Sequence, residues 1–164
     1  MIRIDIPATS ANLGSGFDSL GIALTMCNRV WMEEADELKI TTTDKIKVPT
    51  DETNLIYWAA RHLYQICGKT LPGLHIIQEN NIPMARGLGS SSACIVAGIL
   101  GANRMLGSPM SQSDLINLAA QIEGHPDNTS PAISGGLVAS AMEGKRVYSV
   151  SVPVSGKISF AVMI

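Results

Sequence analysis

The sequence predicts a single domain of mixed strands and helices, with strands at both ends of the chain and helices between them. Three observations carry this. Residues 2–6 alternate with period two, setting Ile2, Ile4 and Ile6 on one face as in a half-buried strand. In the middle of the chain, segments such as Leu55, Ile56, Ala59, Leu63 and Ile66 recur at helical spacing. The last third returns to short apolar runs separated by glycine. A length of 164 residues suits one domain with a substantial core, and 46% hydrophobic against 16% charged residues describes a globular chain rather than a disordered one.

The elements are expected as follows. Pro7 closes the first strand, and residues 8–16 form a small, polar, glycine-bearing loop. Strands follow near 17–24, 27–34 and 37–43, and the acidic run Glu33 to Glu37 reads as a solvated turn. Asp51 is a candidate cap for a helix over 52–67, which Gly68 ends. Residues 71–78 form a strand that leads into a glycine-rich loop and an apolar helix beginning at residues 90–93. Ser111 caps a helix over 112–123, with Asp114 in a capping-box-like position. A helical turn over 127–133 ends at Ser134-Gly135-Gly136, and strands are expected at 137–142, 146–152 and 157–163. The final apolar segment carries no cap or polar tail, so the expectation is a chain that is part of a longer protein.

Composition also excludes partners. A net charge of −2, a pI near 5.9 and the lack of any Lys/Arg block argue against nucleic-acid binding. Cys27, Cys67 and Cys94 are odd in number and widely spaced, so neither a disulfide framework nor a zinc site is expected. No signal-peptide pattern opens the chain and no run approaches the roughly 18 apolar residues of a membrane span. No membrane partner and a cytoplasmic location are the expectation.

Chemistry concentrates in three segments. Pro83-Met84-Ala85-Arg86-Gly87-Leu88-Gly89-Ser90-Ser91-Ser92-Ala93 sets glycines and hydroxyls at the start of an apolar helix. Gly87 and Gly89 can adopt positive φ, and the first N–H groups of the helix have no intrahelical partners, which is how a backbone cradles phosphate. This is not a Walker A loop, because Ser90 rather than lysine follows Gly89. Glu123-Gly124-His125-Pro126-Asp127-Asn128 packs two carboxylates, an imidazole and an amide into six residues, and a carboxylate beside a phosphate helix can hold Mg²⁺. Taken alone, the segment fits a solvated helix end and a turn cap equally well. The early cluster of Ser10, Asn12, Ser15 and Asp18 reads by spacing alone as turn chemistry.

Taken together and in this order, the three segments resemble the GHMP small-molecule kinases, and within them the members that act on homoserine. The resemblance covers nearly the whole chain. Pro83 to Ala93 is similar to the family's P-x-x-x-G-L-G-S-S-A phosphate motif with one extra serine. Pro7 to Asp18, and Glu123 to Asn128 followed by Pro131-Ala132 and Gly135-Gly136, narrow the substrate. The resemblance implies an α+β fold, a ribosomal-protein-S5-domain-2-like mixed sheet packed on helices, with residues 1–164 as the N-terminal, ATP-binding domain and a C-terminal domain outside this chain. It implies transfer of phosphate from ATP to the hydroxyl of L-homoserine, a step of threonine biosynthesis, with a homodimer as a possible assembly. By analogy Asn12, Asp18, His125 and Asp127 bind the substrate and Asn54 lies near the adenine. Residues 83–93 wrap the triphosphate, Ser91 and Glu123 reach Mg²⁺, and Asp127, Asn128 and Glu123 line the reacting centre. Relatives place an aspartate where Asn128 falls, and an amide is no general base, so positioning and charge neutralisation carry the transfer, with Asp127 as an alternative base. Two other readings remain open at this level: another GHMP kinase with a different alcohol, and a non-catalytic S5-like nucleic-acid- or protein-binding module. A fragment without the C-terminal arginines of the family is expected to bind ATP weakly and turn over slowly.

Overall fold

A computed structural model describes residues 1–161 as one sheet with helices packed on it. The strands are β1 (Ile2–Ala11), β2 (Leu20–Glu34), β3 (Lys39–Thr42), β4 (Leu74–Glu79), β5 (Leu137–Glu143) and β6 (Arg146–Val152). The helices are α1 (Leu55–Ile66), α2 (Ser90–Met105), α3 (Gln112–Glu123) and α4 (Thr129–Ser134). The order β3-β4-β2-β5-β6 is antiparallel except for the β3–β4 pair, and β1 pairs with β2. The long strand β2 is the spine. Its residues 20–22 pair with β5 and residues 29–34 with β4, while β1 runs along it from Ile2 opposite Met32 to Ala11 opposite Gly21.

Alternation decides which face carries the helices. Ile4, Ile6 and Ala8 of β1, Val30 and Met32 of β2, and Leu74 and Ile76 of β4 are buried in one cluster with α1, α2 and α3 side chains. Helix α2 lies deepest. Gly98 and Gly101 permit its depth, because an added Cβ would stand 2.3 Å from the Ile56 carbonyl oxygen and 2.4 Å from Met32 Sδ respectively. Helix α3 packs separately on β6 through Ile116, Ala120 and Val147. Among the described residues no helix is long and apolar enough to cross a membrane.

Several expected boundaries move. The first strand passes through Pro7 to Ala11, with a bulge between Pro7 and Thr9. An edge strand tolerates proline, whose missing N–H leaves no gap in a ladder that has no second neighbour. The strands expected at 17–24 and 27–34 are one strand from Leu20, because a single long partner, β1, bridges both. Glu33 and Glu34 belong to β2 rather than to a turn. Glu33 meets the N-terminal amino group at 3.2 Å, and Glu34 accepts the Tyr64 hydroxyl. The cap of α1 is Asn54, whose Oδ1 accepts the N–H groups of Ile56 at 2.9 Å and Tyr57 at 3.4 Å; Asp51 instead accepts the Thr53 N–H in a preceding turn. The Ser111–Asp114 capping box forms as expected. Residues 157–161 pair with no strand, and the rest of the strand expected at 157–163 lies outside the described residues.

Candidate functional site

The loop before α2 reaches its shape through left-handed backbone at Ala85 (φ 55°), Gly87 (φ 69°) and Gly89 (φ 65°). Gly89 occupies the N-cap position of α2 and supplies no side chain to cap it. The Ala93 N–H returns to the Gly89 carbonyl at 2.8 Å, so the amides of Ser90, Ser91 and Ser92 precede the first helical hydrogen bond. They carry the positive end of a 16-residue helix. Leu88 is buried and anchors the loop; its carbonyl accepts the Thr9 N–H at 3.2 Å.

These amides border a cleft of about 390 Å³ lined by Ala11, Asn12, residues 85–92, Pro83, Glu123 and Asn128. Glu123 closes α3, where a carboxylate opposes its own helix dipole, but it faces the first turn of α2. Ser92, the third residue of α2 and 1% exposed, donates its hydroxyl to Glu123 Oε1 at 2.8 Å. Ser91 is exposed at the cleft and makes no such bond, so it is Ser92 that touches the carboxylate.

Behind Asn128 lies a buried polar chain. Asp127 is 1% exposed, and its Oδ1 meets His125 Nδ1 and the Asn128 amide, which donates at 3.3 Å. Asp127 Oδ2 is buried with no hydrogen-bond partner among the described residues. Asn128 Oδ1 in turn accepts the Thr9 hydroxyl at 2.8 Å. The backbone at Asp127 presses so closely on β2 that a Cβ on Gly21 would stand 1.8 Å from its carbonyl oxygen. Proximity to β2 therefore fixes the segment from behind.

Of the early cluster only Asn12 reaches the cleft; Ser10, Ser15 and Asp18 do not line it. Asn12 (φ 59°) lines the cleft, and its Oδ1 accepts the Asp18 N–H at 2.8 Å, which holds Asp18 (φ 52°) nearby. Asp18, His125 and Asp127 do not line the cleft: Asp18 is tied to Asn12 through its backbone N–H, and His125 connects to Asn128 through the buried Asp127. Arg86 is exposed and turns back to the Ala85 carbonyl at 3.3 Å. Ala93 is buried beneath the first turn.

A second, mostly apolar pocket of about 290 Å³ adjoins the cleft and shares Ala85, Ser90 and Ser91 with it. Val48, Pro49, Leu55, Met84 and Cys94 line it, along with Lys47, Asn54 and Asn80. The Asn54 amide is committed, capping α1 and donating to the Pro49 carbonyl at 2.9 Å. Burial first, and the Glu123 charge second, push the Cys94 thiol up to about 11, which keeps it neutral in this wall. Thr9 and Lys47 are the residues that sequence reasoning missed. Nothing local marks Thr9, whose partner is 119 positions away.

The donor set fits an anion with a hard cation: backbone amides, hydroxyls and one carboxylate line a common cleft. Mg²⁺ bound by one or two carboxylates and phosphate oxygens has that requirement.

Known proteins resemble this chain in sequence and in fold. The family model described as the GHMP kinases N-terminal domain matches residues 54–136, just over half of the chain. A curated homoserine kinase of Clostridium botulinum is 44% identical over all of this chain and 55% of its own length. One from Caldicellulosiruptor bescii is 43% identical, again over all of this chain and 54% of its own. The crystal structure of homoserine kinase from Cytophaga hutchinsonii superposes with a TM-score of 0.80 at 31% identity, over 94% of this chain and 52% of that one. The mevalonate kinase of Methanococcus jannaschii, at 15% identity and a TM-score of 0.69, shares the fold. The chain spans about half the length of the curated relatives it matches. With its glycine-built helix start, its facing carboxylate and these likenesses, the chain belongs to the GHMP kinase family.

Proposed function

We propose that residues 1–164 form the N-terminal, nucleotide-holding domain of an enzyme that transfers the γ-phosphoryl group of ATP to the hydroxyl of L-homoserine, giving ADP and O-phospho-L-homoserine. The observation that carries the reading is the uncapped start of α2, with Gly87 and Gly89 left-handed, opening on a cleft that Glu123 faces. The substrate rests on relatives at 43–44% identity that are named homoserine kinases.

In this reading the amides of residues 87–92 bind the triphosphate, and the neighbouring apolar pocket beside Asn54 takes the adenine. Glu123, oriented by Ser92, and the exposed Ser91 are the residues that would hold Mg²⁺. The metal would neutralise charge developing on the transferred group. Asn12, at the cleft, and Asp18, His125 and Asp127 are the residues assigned to the amino acid; Asp127 is buried behind Asn128, so its unpartnered Oδ2 meets an ammonium or hydroxyl group only when binding opens that segment. The new O–P bond forms as the bond to the β-phosphate oxygen breaks. Asn128, whose carboxamide accepts no proton, contributes orientation, so catalysis rests on alignment and charge neutralisation. Asp127 is the alternative proton acceptor.

The reading carries a cytoplasmic enzyme of amino-acid biosynthesis whose second domain completes the substrate site, and a homodimer is the assembly to test by sedimentation. Coupled ADP release by the full-length protein against a panel of alcohols tests the function. Homoserine is expected to be the best acceptor, and a homoserine rate no better than that of the other alcohols contradicts the assignment. The isolated 164-residue chain is expected to show low turnover.

A further inference from the structure

We infer that Thr9 is a positioning residue for the transfer, locking the Asn128 carboxamide and the phosphate-loop glycine Gly89 into one register. The inference rests on the function proposed above. Thr9 follows the bulge in the β1–β2 pair, where the pairing steps from Pro7 opposite Cys27 to Thr9 opposite Ala23 and the extra residues lie on β2. A bulge re-aims a side chain, and here the Thr9 hydroxyl, on a residue 1% exposed, points at Asn128 Oδ1 at 2.8 Å.

Chemistry fixes the direction of that bond. The Asn128 NH₂ donates to Asp127 Oδ1 at 3.3 Å. The amide oxygen therefore faces Thr9, whose single hydroxyl proton is committed to it. One orientation of the amide satisfies both neighbours, and a flip would set oxygen against carboxylate.

Thr9 also holds the loop. Its N–H donates to the Leu88 carbonyl at 3.2 Å, and a Cβ on Gly89 would stand 2.1 Å from its Oγ1. The N-cap of α2 thus rests on the same side chain that orients Asn128. In a reaction governed by alignment, this bridge sets the transferred group relative to the amide on its other side.

The test compares Thr9→Val, Thr9→Ser and Thr9→Ala in the full-length enzyme. Thr9→Val keeps the shape and deletes the donor. It is expected to lower kcat by about ten- to a hundredfold, with the KM for MgATP changed far less and the melting temperature near that of the unaltered enzyme. Thr9→Ser restores the donor and is expected to recover most of kcat. In an Asn128→Ala background, Thr9→Val is expected to have little further effect, since the bond it deletes is already gone. Should Thr9→Val melt early, Thr9→Ala, which forces no methyl against Gly89, carries the same comparison. A homoserine-active enzyme in which these variants keep unaltered kcat, or in which Thr9→Ser falls as far as Thr9→Val, overturns the inference alone. An unaltered enzyme inactive on homoserine contradicts the proposed function instead.

Discussion

Helices α1 and α2 start on the same pocket and solve the problem of their free amides in opposite ways. Asn54 caps α1 with its own side chain, closing the Ile56 and Tyr57 N–H groups. Gly89 begins α2 with no side chain, in a left-handed conformation, and leaves the first turn facing the cleft. A capped start is a stability device, worth about 1 kcal/mol. An uncapped start beside a carboxylate is a place where a bound anion replaces the cap. Helix α3, closed by the Ser111–Asp114 box, follows the α1 pattern.

Substitutions at the two starts separate the roles. Gly89→Ala should have the largest effect, because it adds left-handed strain to a contact at 2.1 Å with Thr9 Oγ1. The expected loss is about 3 kcal/mol in chemical denaturation, together with collapse of nucleotide binding. Gly87 has the same backbone sign but no atom within 4 Å of an added Cβ, so Gly87→Ala should cost about 1 kcal/mol of strain alone. Equal losses at the two glycines would break the claim that Gly89 is wedged and Gly87 is only bent.

Glu123→Gln and Ser92→Ala test the far wall of the cleft. Glu123→Gln in the full-length enzyme is expected to lower kcat roughly 10²-fold through lost charge neutralisation. Ser92→Ala should fall less far, because it frees the carboxylate without deleting it. Near-unaltered kcat in Glu123→Gln would remove that residue from the site. At the capped start, Asn54→Ala should cost about 1–2 kcal/mol of stability, measured by urea melts, and weaken nucleotide binding less than Gly89→Ala does.

The smallest expected effect is electrostatic. Burial pushes the Asp44 carboxyl up, but hydrogen bonds from the Asn80 and Ile46 N–H groups, both at 2.7 Å, and from the Asn80 side chain outweigh it and hold the group below its ordinary 3.8. A carboxyl lowered by folding contributes stability that is fully present above its unfolded value and is lost as pH falls through the folded one. Asp44 braces Asn80 at the second pocket. Asp44→Asn should therefore reduce stability near neutral pH, and the gap from the unaltered protein should narrow on acidification below the usual carboxylate range. A gap independent of pH would show that shape rather than charge is at work.

Local chemistry was legible in the sequence and long-range chemistry was not. The Gly87-x-Gly89 spacing states its own geometry, since the need for positive φ is a property of those residues. The Ser111–Asp114 box, three positions apart, is equally self-contained. Asp51 and Asn54 are both good caps by type, and the choice fell to Asn54 through its buried bonds to Pro49 and Gln78, which no local pattern contains. Pro7 reads as a strand end unless the strand is known to be an edge. The pairing of Thr9 with Asn128, and the use of Ser92 rather than its exposed neighbour Ser91 against Glu123, depend on the fold bringing β1, α2 and α3 to one point.

Hydrogen exchange of the full-length enzyme with and without MgATP reads the central claim at the amides themselves. Protection confined mainly to residues 87–92, with the already capped first turn of α1 changing far less, is the predicted result. Nucleotide binding that leaves the 87–92 amides exchanging at their free rate would contradict it.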